Sequence, residues 1–198
     1  MYPVITISRE FGSGGHAIGK AVAEKLDIPF LDREVVLKVA AEMGIDSDVV
    51  ESKGEHASRF SKYLNTRFYN GLYIGDEQDE IFTKQKEIII DCASKGPCVI
   101  VGRCSDHILR EQGIPAFNVF IHADMELRRK NVAERFQSAD VDISKLIEKN
   151  DRGRRYYYKY YTGNDWDDYR NYDISFNTSC ISEEQCVDII IGIIENMN

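Results

Sequence analysis

The sequence predicts a three-layer α/β fold, a five-stranded parallel sheet between helices, and three observations carry that prediction. Short β-branched or apolar runs alternate with segments of helical periodicity along the whole chain, the order expected of parallel strands joined by helical crossovers. Continuous apolar runs such as Cys98-Val99-Ile100-Val101 suit strands buried on both faces. A glycine cluster joins the first such run to the first helical segment. At 198 residues one hydrophobic core suffices, so residues 1–198 read as a single domain.

The elements follow in order. Residues 3 to 8 are rich in β-branched side chains and feed a glycine turn, which predicts the first strand. From Gly15 onward Ile18, Val22 and Leu26 recur at fours, a helix ending near Asp27. Pro29-Phe30-Leu31-Asp32 makes a short second strand, and Val35, Val36, Val39 and Ala40 make a helix that closes at Gly44. Residues 46–95 read as a helical insert, with Phe60, Leu64 and Phe68 at fours and Ile81, Ile88, Ile89 and Ile90 beyond them. Gly96-Pro97 ends it, and the third strand runs to Gly102-Arg103. Pro115 to His122 is the fourth strand, Leu127 to Phe136 a charged helix, Tyr172 to Asn177 the fifth strand, and 183–197 a closing apolar helix.

Composition excludes several classes of function. A net charge of -8 argues against a nucleic-acid binder, which needs a basic face. No apolar run reaches the length of a bilayer span, and residues 1–8 carry neither a basic leader nor a cleavage site, so a cytoplasmic protein away from membranes is expected. Five cysteines without a CxxC pair point to reduced, partly buried thiols and away from a disulfide framework or a zinc site. The apolar stretches of residues 60–90 leave a homodimer open.

The segment Ser8-Arg9-Glu10-Phe11-Gly12-Ser13-Gly14-Gly15-His16 lies between a strand and a helix, where backbone N–H groups and the helix dipole attract anions. A standard phosphate loop reads GxxxxGK[ST], its Lys reaching the β- and γ-phosphates and its hydroxyl holding magnesium. Aligned on that pattern, Arg9 replaces the first Gly, Gly15 the Lys and His16 the Ser or Thr. We read Gly12, Ser13, Gly14, Gly15, His16 and Ala17 as the phosphate cradle, with Arg9 folding over it to replace the missing charge, and His16 as a packing or capping residue. The competing reading is a tight turn with close helix packing. A second partial match, Gly14 to Ala21, puts Lys20 too far into the helix to meet a phosphate.

Ser8-Arg9-Glu10-x-Gly12-Ser13-Gly14-Gly15-x-x-Ile18-Gly19 resembles the opening signature of the cytidylate kinase-like family. The resemblance continues through Pro29 to Glu34, Val101 to Asp106 and Tyr172 to Thr178, and so spans nearly the whole chain. It implies a P-loop NTPase fold with a helical NMP-binding insert over residues 46–95 and an arginine-bearing lid over about 138–165. It also implies ATP and Mg2+ as cofactors, and a nucleoside monophosphate such as CMP or dCMP as the acceptor. The departures at Gly15 and His16 leave two alternatives, a kinase for another small acceptor and a nucleotide-binding regulatory protein without turnover.

Phosphoryl transfer spreads negative charge over the transferred group, so cations must surround it. Arg152 and Arg155, in the run Lys149 to Arg155, are spaced to share a helix face and are candidates for phosphate contact, with an exposed helix end as the alternative. Arg103 follows the third strand at the edge where open sheets place ligands, a candidate for the acceptor phosphate or nucleotide. Asp32 and Arg33 occupy the same edge after the second strand. Asp32 acts either on magnesium or the acceptor, or as a helix cap. No residue is assigned as a direct protein ligand of metal. The resemblance of the helix after the fourth strand to a kinase helix implies that one of Arg128, Arg129 and Arg135 faces the site, and the Tyr156–Tyr161 run is expected to pack the lid against the body.

Overall fold

A computed structural model describes residues 3–53, 77–135 and 142–197 of the chain. The Phe60, Leu64 and Phe68 stripe, and the start of the expected lid, lie outside the described residues.

Five strands form one parallel sheet: β1 (Val4–Arg9), β2 (Phe30–Leu31), β3 (Val99–Val101), β4 (Ala116–His122) and β5 (Ile174–Asn177), in the order β2-β3-β1-β4-β5. Residues Val4 to Ser8 of β1 are buried, as a central strand covered on both faces requires. The pleat sorts side chains by parity. Ile5 and Ile7 of β1, Val99 and Val101 of β3, and Val119 and Ile121 of β4 enter one core, whereas Ile100 and Phe120 enter the other. Thr6 is one of the buried polar residues of the sheet, and its hydroxyl donates to Asn118 Oδ1 across the β1–β4 pair at 2.8 Å.

The first core is closed by helix α1 (Gly15–Leu26) through Ile18, Val22 and Ala23, and by α8 (Glu183–Asn196) through Cys186, Val187, Ile190 and Ile194. Each fully buried aliphatic side chain there contributes about 1.5–3 kcal/mol. Gly19 sets the approach of α1 to the sheet, since a Cβ there would stand 3.0 Å from Ile7 Cδ1 and 3.2 Å from Phe30. The second core is covered by α2 (Arg33–Met43), α3 (Ser47–Lys53), α4 (Glu77–Lys95), α5 (Ser105–Glu111) and α7 (Ile143–Thr162), while α6 (Met125–Arg135) packs on α7. Chain turns follow local chemistry: Gly44 ends α2 with φ 66°, and Ser182 with Gln185 makes a reciprocal capping box that starts α8.

The tyrosine run packs α7 inward, as its sequence suggested. Tyr157 and Tyr158 are buried, and Tyr161 stacks on Phe82 of α4 with ring centroids 3.7 Å apart. Ile81, Ile88 and Ile89 of α4 are core residues, which removes them from any surface available to a second copy. All five cysteines are free thiols. Among the described residues no helix is long and apolar enough to cross a membrane.

Candidate active site

The strand order reverses direction at β1, whose neighbours β3 and β4 lie on opposite sides, and the carboxyl ends of these three strands bring residues 9–16, 102–106 and 122–124 to one edge. That crevice is where open α/β sheets bind ligands. The loop after β1 turns on Gly12 and Gly14, at φ 85° and 86°. A side chain at Gly12 would also meet the carbonyl oxygen of Arg128 at 2.9 Å. Helix α1 then begins after Gly14 with no side chain capping its amino end and no acidic residue in its first turn. Its first-turn amides therefore offer a positive end to an anion, with the Glu183 carboxylate of α8 packed against Gly14 beside it.

The carbonyl groups of this loop are held from outside and from within. Thr178 Oγ1 donates to the Ser13 carbonyl at 2.9 Å, Asn131 Nδ2 to the Gly12 carbonyl at 2.9 Å, and Ser13 Oγ to the Glu10 carbonyl at 2.9 Å. Beneath it lies a buried ion network. Arg128 donates through Nε to the Phe11 carbonyl at 2.8 Å and through Nη1 to Glu10 Oε2 at 3.1 Å, and it pairs with Asp151 through Nη2. Asp151 Oδ1 accepts from the Phe11 amide at 2.8 Å, so one ion pair clasps both polar groups of that peptide residue. Arg154 donates to the Arg9 carbonyl at 3.2 Å and sits over the Phe11 ring, 5.6 Å from its centroid.

Of the three arginines on α6, Arg128 is the one buried against the loop, whereas Arg129 and Arg135 are exposed. Glu10, Asp151 and Arg154 were missed as loop-holding residues by sequence reasoning. The available signal was the step Ile147, Asp151, Arg154, Tyr158, which follows one helical face through an otherwise charged run. Arg152 and Arg155 stand on the exposed side of α7, and Arg155 bonds Asp167 at 3.1 Å and covers Trp166.

Positions 9 and 15 are sterically coupled. A Cβ on Gly15 would lie 2.5 Å from Arg9 Cβ and 3.0 Å from Arg9 Cγ, so the stem of Arg9 crosses the space that a side chain at position 15 needs. In the standard loop the glycine stands first and the lysine seventh. Here side chain and bare backbone have changed places.

Arg103 is buried at the carboxyl end of β3, in a run of three left-handed residues, Gly102, Arg103 and Cys104 at φ 70°, 59° and 57°. Non-glycine residues in this region each cost about 1–3 kcal/mol. Three positions on, Asp106 is buried with Oδ2 accepting from Tyr158 Oη at 2.6 Å, which ties this loop to α7. Burial pushes the Asp106 carboxyl above the usual range, against the opposing effect of the Tyr158 bond, and burial beside Asp106 pushes the Tyr158 hydroxyl up.

Asp32 occupies the cap position of α2, yet its side chain makes no capping bond and instead meets His16 Nδ1 at 2.8 Å. His16 rests edge-on against Phe30 at 5.3 Å. Arg33 is exposed beside this pair, and Ala17 is half-buried behind it. The glycine cradle, the uncapped helix end and the Arg9 stem suit a phosphate chain. Among the described residues no three His, Cys, Asp or Glu side chains gather as a metal cage.

A phosphate-type loop on the central strand of a β2-β3-β1-β4-β5 parallel sheet, flanked by helices, defines a P-loop NTPase fold of the kinase type. The chain belongs to the cytidylate kinase-like family, whose sequence model matches residues 4–180. A cytidylate kinase of Archaeoglobus fulgidus is 27% identical over 195 residues, covering 96% of this chain and 94% of that one. A solved structure from Eubacterium ventriosum superposes with a TM-score of 0.71 at 26% identity and 98% coverage of both chains. A shikimate kinase from Bacteroides thetaiotaomicron shares the fold, with a TM-score of 0.60 at 12% identity, covering 98% of this chain and 99% of that one.

Proposed function

We propose that this protein transfers a phosphoryl group from ATP to a nucleoside monophosphate, with CMP or dCMP as the acceptor. The observation that carries the proposal is the Arg9 stem crossing the space that a side chain at position 15 would need; it supports reading Arg9 as the cation of a loop that lacks its lysine. In this reading the amides of Gly12 to Ala17 and the amino end of α1 cradle the phosphates, and the Arg9 guanidinium neutralises the charge that develops on them. Arg103 binds the acceptor phosphate from the end of β3. Arg152 and Arg155, on the open side of α7, are the lid cations available to the transferred group, Arg155 after leaving Asp167. Arg33 and Asp32 act on the acceptor side, Asp32 also towards magnesium through water. Magnesium, when bound with ATP, screens the repulsion between phosphates. The cytidylate kinase named among the relatives supports this choice of acceptor, and the free thiols suit a cytoplasmic setting.

The test is ATP binding and phosphoryl transfer to a panel of nucleoside monophosphates by the wild type, Arg9→Gly, Gly15→Lys and the double variant. Removing a hydrogen bond to a charged group costs about 1.5–3 kcal/mol, so Arg9→Gly is expected to lower ATP affinity about ten- to a hundredfold. The Arg9→Gly/Gly15→Lys variant, which restores the first glycine and the lysine of the standard loop, is expected to recover it. Unchanged affinity in Arg9→Gly overturns the role of Arg9. Binding without turnover on any acceptor overturns the kinase reading in favour of a regulatory nucleotide binder, and turnover restricted to another small acceptor overturns the choice of CMP.

A further inference from the structure

We infer that His16 is a direct ligand, through Nε2, of the divalent cation that accompanies the nucleotide, and that Asp32 holds it in the tautomer this requires. The inference rests on the proposed phosphate site and deepens it, since it makes cation choice a property of this loop.

The argument begins with the hydrogen bond. An ionised carboxylate only accepts, so the 2.8 Å contact between Asp32 Oδ2 and His16 Nδ1 places the ring proton on Nδ1. In the neutral imidazole Nε2 then keeps its lone pair. Histidines that bind metals commonly donate their other N–H to a carboxylate in this way, which fixes the ring and raises the basicity of the ligating nitrogen. Phe30 supports the ring edge-on from a second direction, and the side chain stays 48% exposed.

The cap position of the second helix bears on the same pair. Asp32 stands at the amino end of α2, where an aspartate ordinarily accepts from the first-turn amides and contributes about 1 kcal/mol. Its side chain makes no such bond. The carboxylate is turned to His16 in place of its usual local role.

His16 also occupies the position of the hydroxyl that holds magnesium in the standard phosphate loop. A nitrogen donor there changes the preference. Magnesium is hard, favours oxygen and gives up water reluctantly, whereas nitrogen sites bind the first-row transition metals, manganese least strongly among them. The preference with the nucleotide therefore moves from magnesium towards first-row transition metals, and manganese, which shares magnesium's octahedral geometry, reports that shift.

The test compares ATP binding to the full chain in magnesium and in manganese, for the wild type and for His16→Ser, with pulsed electron paramagnetic resonance on the manganese–ATP complex. Circular dichroism confirms that the exposed substitution leaves the fold intact. The expected result is a manganese-over-magnesium affinity ratio about tenfold greater in the wild type than in His16→Ser. Imidazole nitrogen coupling to manganese is expected in the wild type and absent from the variant. Binding of ATP with equal ratios in both proteins and no nitrogen coupling overturns the role of His16 while the phosphate site stands. Failure of ATP to bind with either cation overturns the phosphate site and this inference together.

Discussion

Arg128 is worth more to this molecule as a fixed part than as a free charge. Its guanidinium lies between Glu10 and Asp151 and reaches the Phe11 carbonyl, all within the buried floor of the loop. Removing one partner from a buried ion cluster strands the others, so Arg128→Met is expected to destabilise the protein by about 3–5 kcal/mol, measured by urea unfolding. Replacing Arg129, one position along and exposed, is expected to change stability by less than about 0.5 kcal/mol in the same assay. At this scale the sequence disclosed the unusual residues but not their relation. Arg9, Gly15 and His16 stand out against the GxxxxGK[ST] pattern as separate departures, and only coordinates show that the first two occupy one space and that the third is paired with Asp32. The His16–Asp32 contact, across 16 residues of sequence, leaves no local pattern to find.

Helices α1, α2, α6 and α8 were legible to within a few residues because their apolar stripes and stop signals are local, whereas α5 (Ser105–Glu111) was not read as a helix. Asp27, Gly44 and Gly163 end α1, α2 and α7 in left-handed conformations, and Ser182 begins α8 with both halves of its capping box formed. Ser182→Ala is expected to cost about 1 kcal/mol, read as a lowered thermal midpoint with an unchanged fold. For α7 the limit of sequence reading is instructive. Spacing puts Arg152 and Arg155 on a shared face, and it equally puts Asp151 and Arg154 on one, but residue type does not say which face is inside. A buried Asp–Arg pair has the composition of a solvated one, and what decides is the surrounding Ile147, Tyr157 and Tyr158, all buried.

The whole sheet was predictable in its number of strands and their direction, because helical segments between apolar runs force parallel pairing. The strand order was not. β1 pairs with β4 more than a hundred residues away, and with β3 at the opposite side, so the order depends on packing that no window of sequence contains. Stability of the assembled molecule is expected to depend on pH through Asp106, which links the β3 edge to α7. The sign follows from the raised carboxyl: the folded chain holds this proton more tightly than the unfolded one, so the contribution is full below the ordinary carboxylate value and declines as pH rises towards the raised one. Asp106→Asn removes that dependence. The stability of the wild type relative to the variant is expected to fall with pH above about 4, by up to about 1.4 kcal/mol per pH unit, in urea unfolding at a series of pH values.

The collision between positions 9 and 15 also constrains ancestry. A lineage that moved between the lysine loop and this one by single substitutions had to pass either through a chain with side chains at both positions, which do not fit on this backbone, or through one with glycine at both, which carries no cation. Both intermediates are handicapped, so the Arg9 and Gly15 pair is expected to be inherited as a unit: descendants keep both residues or lose both, and mixed forms are rare.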